Sequence, residues 1–388
     1  MKYPIYLDYN ATTPVDQRVL DAMLPYLTTH FGNAASRTHV FGLKAEEAVD
    51  KARRQVATLI GALPNELVFT SGATEAINLA LKGTFEANSH RGNHIITVAT
   101  EHKAGLDTCQ HLEQLGTEVT YLTPDADGLI TPQQVEAAIR PGTLLVSVML
   151  ANNETGVIQP LKEIAAVAKQ HNVLVHTDAT QAVGKLPIDL ADLPVDLLSF
   201  SGHKLYAPKG IGALFVRQKT SLIAQQDGGR HERGRRSGTL NVPGIVALGQ
   251  AAQLAGTLMT DEGSRLAHLR DTLEAGIRAQ LPDVQVNGST AHRLPNTANL
   301  AFAQVDGEAL LMSLNDIAVS NGSACTAAST DPSHVLKAMG LSDELAYSSV
   351  RFSLGRFTTD ADIEQAISHV VQAVRQLRSA DFSPHFTH

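Results

Sequence analysis

The feature that most constrains this chain is an alternation of short, β-rich apolar runs with amphipathic helical stretches through its first two-thirds. The runs are LVFT (67–70), HIITVA (94–99), EVTYL (118–122), LLVSVML (144–150), VLVHT (173–177), DLLSFS (196–201) and IGALFV (211–216). Between them lie stretches such as 43–60 and 161–170, whose apolar residues recur every three or four positions. This order predicts βαβ units and a mostly parallel sheet with helices on both faces. In such a sheet ligands sit outside the carboxyl ends of the strands, so the residues just after each run are the candidates for chemistry. Near residue 260 the pattern changes. A long polar helix (264–281) leads into shorter strands around 284–286, 296–302, 317–320 and 349–353, which predict a second, smaller α/β domain.

With 388 residues the chain has ample length for a large core without a disulfide or metal staple. Its 31 basic and 39 acidic side chains give a net charge of −8, which argues against nucleic acid or an anionic membrane as the main partner. Two cysteines, Cys109 and Cys325, cannot build a secreted disulfide framework. The first residues show no signal pattern, and no apolar run reaches the ~18 residues of a membrane span. A cytoplasmic α/β protein is the expectation. No C-x-x-C or H-E-x-x-H spacing points to a metal.

Lys204 follows the sixth run in Ser201-Gly-His203-Lys. A lysine just past a buried strand can be desolvated, which lowers its pKa and makes its amine nucleophilic. The preceding strand ends in Asp178, with Gln181 a short turn later. A buried carboxylate there would keep a pyridine nitrogen protonated, although an Asp in this place can also cap the next helix. Gly72, Ala73 and Thr74, directly after the first run, would offer backbone N–H groups at a helix N-terminus to an anion; the alternative is an ordinary turn capped by Ser71 or Thr74. Ser201 and His203 could complete such a cradle, and His102, after the second run, could stack on a planar ring or be structural. Cys325 lies among small and polar residues (321–333), a setting for a mobile thiolate more than for a packed hydrophobe, whereas Cys109 sits on an amphipathic segment and reads as packing.

The whole chain resembles the pyridoxal-phosphate cysteine desulfurases of the NifS/IscS group, within the class V aminotransferase superfamily. The resemblance runs in order through YLDYNATTP (6–14), FGNAASRTHVFG (31–42), TSGATEAINLA (70–80), TEHKAGLDT (100–108), VSVMLANNETGVIQP (146–160), HTDATQAVGKLPID (176–189), SGHKLYAPKGIGAL (201–214), GGRHERGRRSGTLNVP (228–243), SNGSACTAAS (320–329) and SSVRFSLGRFTT (348–359). It departs where the usual Asn-Pro-Ser-Ser reads Asn33-Ala-Ala-Ser36 and the usual Glu-x-Asn-Asn reads Glu75-Ala-Ile-Asn78.

The resemblance implies an α/β chain of the pyridoxal-phosphate-dependent transferase fold type I, the aspartate-aminotransferase type. A large domain (15–260) would hold a seven-stranded mixed sheet, and a small domain would form from 1–14 and 261–388. It implies pyridoxal 5'-phosphate as cofactor, with Lys204 as the Schiff-base lysine, Asp178 on the pyridine nitrogen, His102 stacked on the ring and Gln181 on the phenolic oxygen. Ala73, Thr74, Ser201 and His203 would hold the phosphate, with Thr239 reaching in from the other subunit of a homodimer. Asn153 would serve cofactor and substrate, Arg351 the substrate carboxylate, and Cys325 would carry a persulfide. L-cysteine would become L-alanine, with His102 the candidate base for the thiol and a sulfur acceptor or iron–sulfur scaffold protein as partner. An aminotransferase or another lyase, selenocysteine lyase included, would use Lys204 and Asp178 without this need for Cys325. A non-catalytic scaffold would need none of the three.

Overall fold

The computed structural model describes residues 3–322 and 332–381. After a short strand β1 (Ile5–Tyr6), each apolar run forms one strand: β2 (Leu67–Thr70), β3 (His94–Val98), β4 (Glu118–Leu122), β5 (Thr143–Ser147), β6 (Leu174–Asp178), β7 (Leu197–Ser201) and β8 (Gly212–Val216). These seven make one sheet in the order β2-β8-β7-β6-β5-β3-β4. The sheet is mixed, because β8 runs antiparallel to both β2 and β7 while the other pairs are parallel. The reversal follows from chain length: residues 202–211 between β7 and β8 are too few for the crossover helix that a parallel return requires.

Alternate residues of each strand feed different cores. Leu67, Phe69, Ile96, Val146, Val175, Leu198, Phe200 and Phe215 pack with the helix Val40–Ile60 and the start of the helix Val242–Arg278. Val68, Ile95, Leu145, Leu197 and Leu214 pack on the opposite side with the helices Ala73–Asn88 and Lys103–Gln114. Both faces are covered, which is why these strands read as unbroken apolar runs rather than alternating ones.

A second core surrounds a three-stranded antiparallel sheet of β9 (Val284–Val286), β10 (Thr297–Phe302) and β12 (Ser349–Ser353), packed against the C-terminal helix Asp360–Asp381. Beside it β11 (Ile317–Ala318) pairs in parallel with β1. The helix Val242–Arg278 joins the two cores. Asn241 caps it by accepting from the N–H of Gly244 at 3.1 Å, and at 37 residues it spans about 55 Å. It therefore runs straight through residue 260. The change of pattern there marks its passage from the first core (Ile245, Leu248, Ala251) to the second (Leu266, Leu269, Leu273, Ile277). By length and composition this helix could cross a membrane, yet half of its most apolar stretch is packed inside the protein.

One buried ion pair ties the arginine-rich segment 227–241 to this frame. Arg53 donates to both carboxylate oxygens of Glu232, at 2.9 and 2.6 Å, and Glu232 also accepts from the N–H of Phe69 at 2.9 Å. The Glu232 side chain is 1% exposed. Arg53→Met would leave this carboxylate unpaired inside the protein, so a loss of about 3–5 kcal/mol is expected, read as a fall in the unfolding midpoint in denaturant.

Candidate active site

Strands β2, β3, β5, β6 and β7 share one direction, so the segments after them meet at one edge of the sheet. There they enclose a cavity of about 420 Å³, in the range of small-molecule sites. Ala73, Thr74, His102, Asn153, Asp178, Gln181, Ser201, His203, Lys204 and Arg351, all expected from the sequence, line it. A larger groove of about 1180 Å³ lies elsewhere, between the helices Val40–Ile60, Leu161–Gln170 and Val242–Arg278, and brings together no comparable set.

The turn after β2 forms one end of the cavity. Gly72 caps the helix Ala73–Asn88 with φ +156°, a conformation that side chains rarely adopt, and no side chain bonds the first N–H groups. Neither Ser71 nor Thr74 acts as the N-cap. The positive end of the helix dipole thus faces the cavity. Across it stands Ser201, whose Oγ would lie 3.4 Å from a Cβ built on Gly72. His203 sits two residues on, its Nδ1 3.2 Å from Thr12 Oγ1. Burial and the cations Lys204 and Lys209 lower its pKa to about 4, so it is a neutral imidazole at pH 7. Glu75, on the first turn of the helix, accepts from the N–H of Ser71 at 2.7 Å and from Arg236 Nε at 2.7 Å. Thr239, three residues beyond Arg236, is exposed and lies outside this lining.

The middle of the cavity holds the carboxylate and the amine. Asp178 ends β6, is 5% exposed and accepts from the N–H of Thr180 at 2.9 Å. The Thr180 hydroxyl, also on the lining, is buried without a partner. Lys204 Nζ donates to the carbonyls of Asn10 and Ala11 at 2.5 and 2.6 Å. His102 caps the helix Lys103–Gln114, its Nδ1 accepting from the N–H of Ala104 at 3.1 Å. Burial, ahead of the neighbouring charges, lowers its pKa and so favours the neutral imidazole.

Two residues before Asp178, His176 bridges the strands on either side, with Nδ1 2.9 Å from Ser147 Oγ and Nε2 2.9 Å from Ser199 Oγ. Burial lowers its pKa to about 3. A folded-state pKa below the unfolded value of about 6.5 means that protonation favours unfolding. The protein should therefore lose stability as pH falls from about 6.5 towards 3, and His176→Gln should flatten that acid limb in unfolding measurements across pH.

The far wall comes from the turn after β5 and from β12. Asn152 builds this turn, its Oδ1 accepting from the N–H groups of Glu154 and Thr155 at 2.8 and 3.0 Å. The carbonyl of Asn153 accepts from Arg351 NH1 at 3.0 Å, and Arg351 NH2 reaches Asp8 Oδ1 at 2.7 Å. Arg351 is 1% exposed, and its Nε is buried without a partner. Cys325 lies outside the described residues. The described residues flanking its segment meet at Glu154: Ser333 Oγ donates to Glu154 Oε2 at 2.5 Å, and a side chain on Gly322 would approach the same oxygen to 3.2 Å. His334 Nε2 donates to the carbonyl of Glu101 at 3.0 Å, beside His102. Cys109 is buried within a core, where burial pushes its thiol up to about 12.

Asn10, on this lining, and Lys185, which bonds to Asn10 and Gln181, are residues of the site that the sequence did not single out. Asn10 joins β10, the turn after β5 and the amine: its Nδ2 donates to Thr297 Oγ1 at 2.9 Å and to the Asn153 carbonyl at 3.2 Å, while its own carbonyl accepts from Lys204. The motif YLDYNATTP was the available signal, but nothing local to it says which residue points inward.

The class-V aminotransferase family model matches residues 5–366. A cysteine desulfurase IscS of Anaeromyxobacter dehalogenans is 56% identical over 380 residues, 97% of this chain and 94% of that protein. Among solved structures, a NifS-like protein superposes with a TM-score of 0.90 at 36% identity, covering 96% of this chain and all of the other. A structure described as SspA in complex with cysteine superposes with a TM-score of 0.81 at 40% identity, over 92% of this chain and all of the other. With its seven-stranded mixed sheet the chain has the fold type I architecture, and it belongs to the class-V aminotransferase family, in the NifS/IscS group of cysteine desulfurases.

Proposed function

We propose that the chain converts L-cysteine to L-alanine and retains the sulfur as a persulfide on Cys325, with pyridoxal 5'-phosphate bound in the cavity at the carboxyl edge of the large sheet. The observation that carries this reading is the meeting, in one cavity, of the Lys204 amine, the buried Asp178 carboxylate, an uncapped helix N-terminus and the buried Arg351. The set fits the cofactor. The N–H groups of the turn at Gly72 and Ala73 have no side-chain cap, as an anion site requires, and the unpartnered Thr180 hydroxyl awaits a ligand or water. When bound, pyridoxal phosphate supplies an electron sink for the pair released at the substrate Cα.

The protein's own residues then divide the work. Lys204 Nζ holds the cofactor and, once freed by the substrate, moves the Cα proton. Asp178 would keep a proton on the pyridine nitrogen, and His102 would lie against the ring. The N–H groups at Ala73 and Thr74, with Ser201 and neutral His203, hold the phosphate; Thr239 of a second copy completes this cradle in a homodimer. Asn153 orients cofactor and substrate, and Arg351, on the cavity lining, binds the substrate carboxylate. His102, neutral through burial, takes the thiol proton of Cys325. As the new S–S bond forms on Cys325, the substrate Cβ–S bond breaks and the Cβ carbon gains a proton, so one cysteine and one thiol give one alanine and one persulfide. A sulfur-acceptor or iron–sulfur scaffold protein then takes the persulfide sulfur.

The test is to supply L-cysteine with and without a thiol reductant and to measure alanine and sulfide together. Alanine equal to protein-bound sulfur without reductant, and equal turnover of alanine and sulfide with it, is expected. A keto acid or pyruvate in place of alanine would overturn the reading.

A further inference from the structure

Lys185 has no part in the chemistry described above, yet its amine lies in the hydrogen-bond network of the site. It follows Gln181 by four residues in the tight turns after β6. Its Nζ donates to Gln181 Oε1 at 2.7 Å and to Asn10 Oδ1 at 3.2 Å. Gln181 Nε2 in turn donates to the Asn10 carbonyl at 2.9 Å, the same oxygen that accepts from Lys204. A lysine amine offers donors here and a carbonyl only accepts, so the Gln181 amide can stand in one orientation. Reversing it would set N–H against amine and oxygen against oxygen. In the observed orientation one hydrogen of Nε2 is committed to Asn10, and the other is left for an acceptor in the cavity that Gln181 lines.

We propose that Lys185 is a positioning residue of this site: by occupying Gln181 Oε1 it fixes the amide so that an N–H, and not the carbonyl oxygen, meets the bound ligand. This rests on the reading of the cavity as a pyridoxal phosphate site, in which Gln181 faces the phenolic oxygen. A donor at that oxygen stabilises its anionic form, and a carbonyl in the same place would repel it. Lys185 also sets a second amine beside Lys204. Burial, followed by repulsion from Lys204 and Arg351, lowers the Lys185 pKa to about 7. Lys185 and Lys204 also line a second, smaller cavity together with Tyr9, Tyr206, Glu262 and Arg356. Arg356 Nε pairs with Glu262 at 2.5 Å, and burial raises both phenols, so neither tyrosine titrates near pH 7.

The test is a pH titration of the visible absorption of the protein loaded with pyridoxal phosphate, without substrate. Lys185→Met, Gln181→Leu and the double variant are compared with the parent. Losing the donor makes the phenolic oxygen more basic, and losing a neighbouring cation eases protonation at Lys204, so both effects move the midpoint upwards. A rise of about one pH unit is expected for each single variant, with the double variant no higher than the larger single, because the two residues act through one hydrogen bond. Lys185→Arg, which keeps donors and charge, should restore most of the parental midpoint. An unchanged midpoint in Lys185→Met, or full additivity in the double variant, would overturn the proposal. Should Lys185→Met fail to fold, Lys185→Ala removes the same donor to Gln181 Oε1; an upward shift is again expected, and no shift again overturns the idea. A parent protein that gives no visible band with pyridoxal phosphate would instead sink the cofactor reading, so the two failures are distinguishable.

Discussion

Lys204→Ala is expected to abolish the visible absorption of the lysine-linked cofactor and to lower alanine formation from L-cysteine by roughly 10³-fold or more. The amine sits at the carboxyl edge of the sheet, just past β7, donating to the carbonyls of Asn10 and Ala11 and sharing its cavity with Asp178. On the proposed reading, truncation removes the group that both holds the cofactor and moves the Cα proton. The fold should survive, since the Asn10 carbonyl keeps its bond from Gln181. Thermal unfolding of the variant is therefore expected to stay close to the parent while absorption and turnover vanish. A surviving lysine-linked band would assign the attachment to another amine, and Lys185 is the nearby one to test next.

Cys325→Ser should be nearly as damaging to turnover, with a loss of about 10²–10³-fold, but the failure should come at a different step. Lys204, Asp178 and Arg351 remain, so L-cysteine should still bind and its Cα proton should still exchange with deuterated water. Alanine should not accumulate, because nothing receives the sulfur. Cys109→Ala should be close to silent in activity: a buried thiol held near pKa 12 provides almost no thiolate at neutral pH, and it faces a core rather than the cavity. Loss of proton exchange in Cys325→Ser would mean that this residue shapes substrate binding as well.

The parts of the fold legible in the sequence were those written in a local period. Strands buried on both faces, such as Leu197–Ser201 and Gly212–Val216, show as apolar runs of the right length, and the site residues that follow them could be found by position. The single helix Val242–Arg278 was not legible as one element, because its buried stripe serves two cores and is interrupted between them. The reversal of β8 was not legible from the runs alone either, since an apolar run carries no direction; the family resemblance supplied the mixed sheet. The hub at Asn10 joins residues about 140 to 290 positions away through side-chain hydrogen bonds, and no periodicity records such contacts. The same holds for Lys185, whose two acceptors lie on Gln181 and Asn10. The arginines of 230–236 are partly engaged within the chain, Arg236 with Glu75 and Arg233 with the Leu67 carbonyl, contacts that no local pattern announces.

On the proposed reading, sulfur leaves L-cysteine for Cys325 while the carbon skeleton becomes alanine. Its most direct test is mass spectrometry of the protein after brief exposure to L-cysteine without reductant, with alanine measured in the same sample. One added sulfur on the peptide containing Cys325, none on the peptide containing Cys109, and one alanine released per added sulfur is the result this account predicts. Alanine or sulfide produced at the parental rate by Cys325→Ser, with no sulfur ever found on Cys325, would contradict it and make a β-elimination lyase the better description.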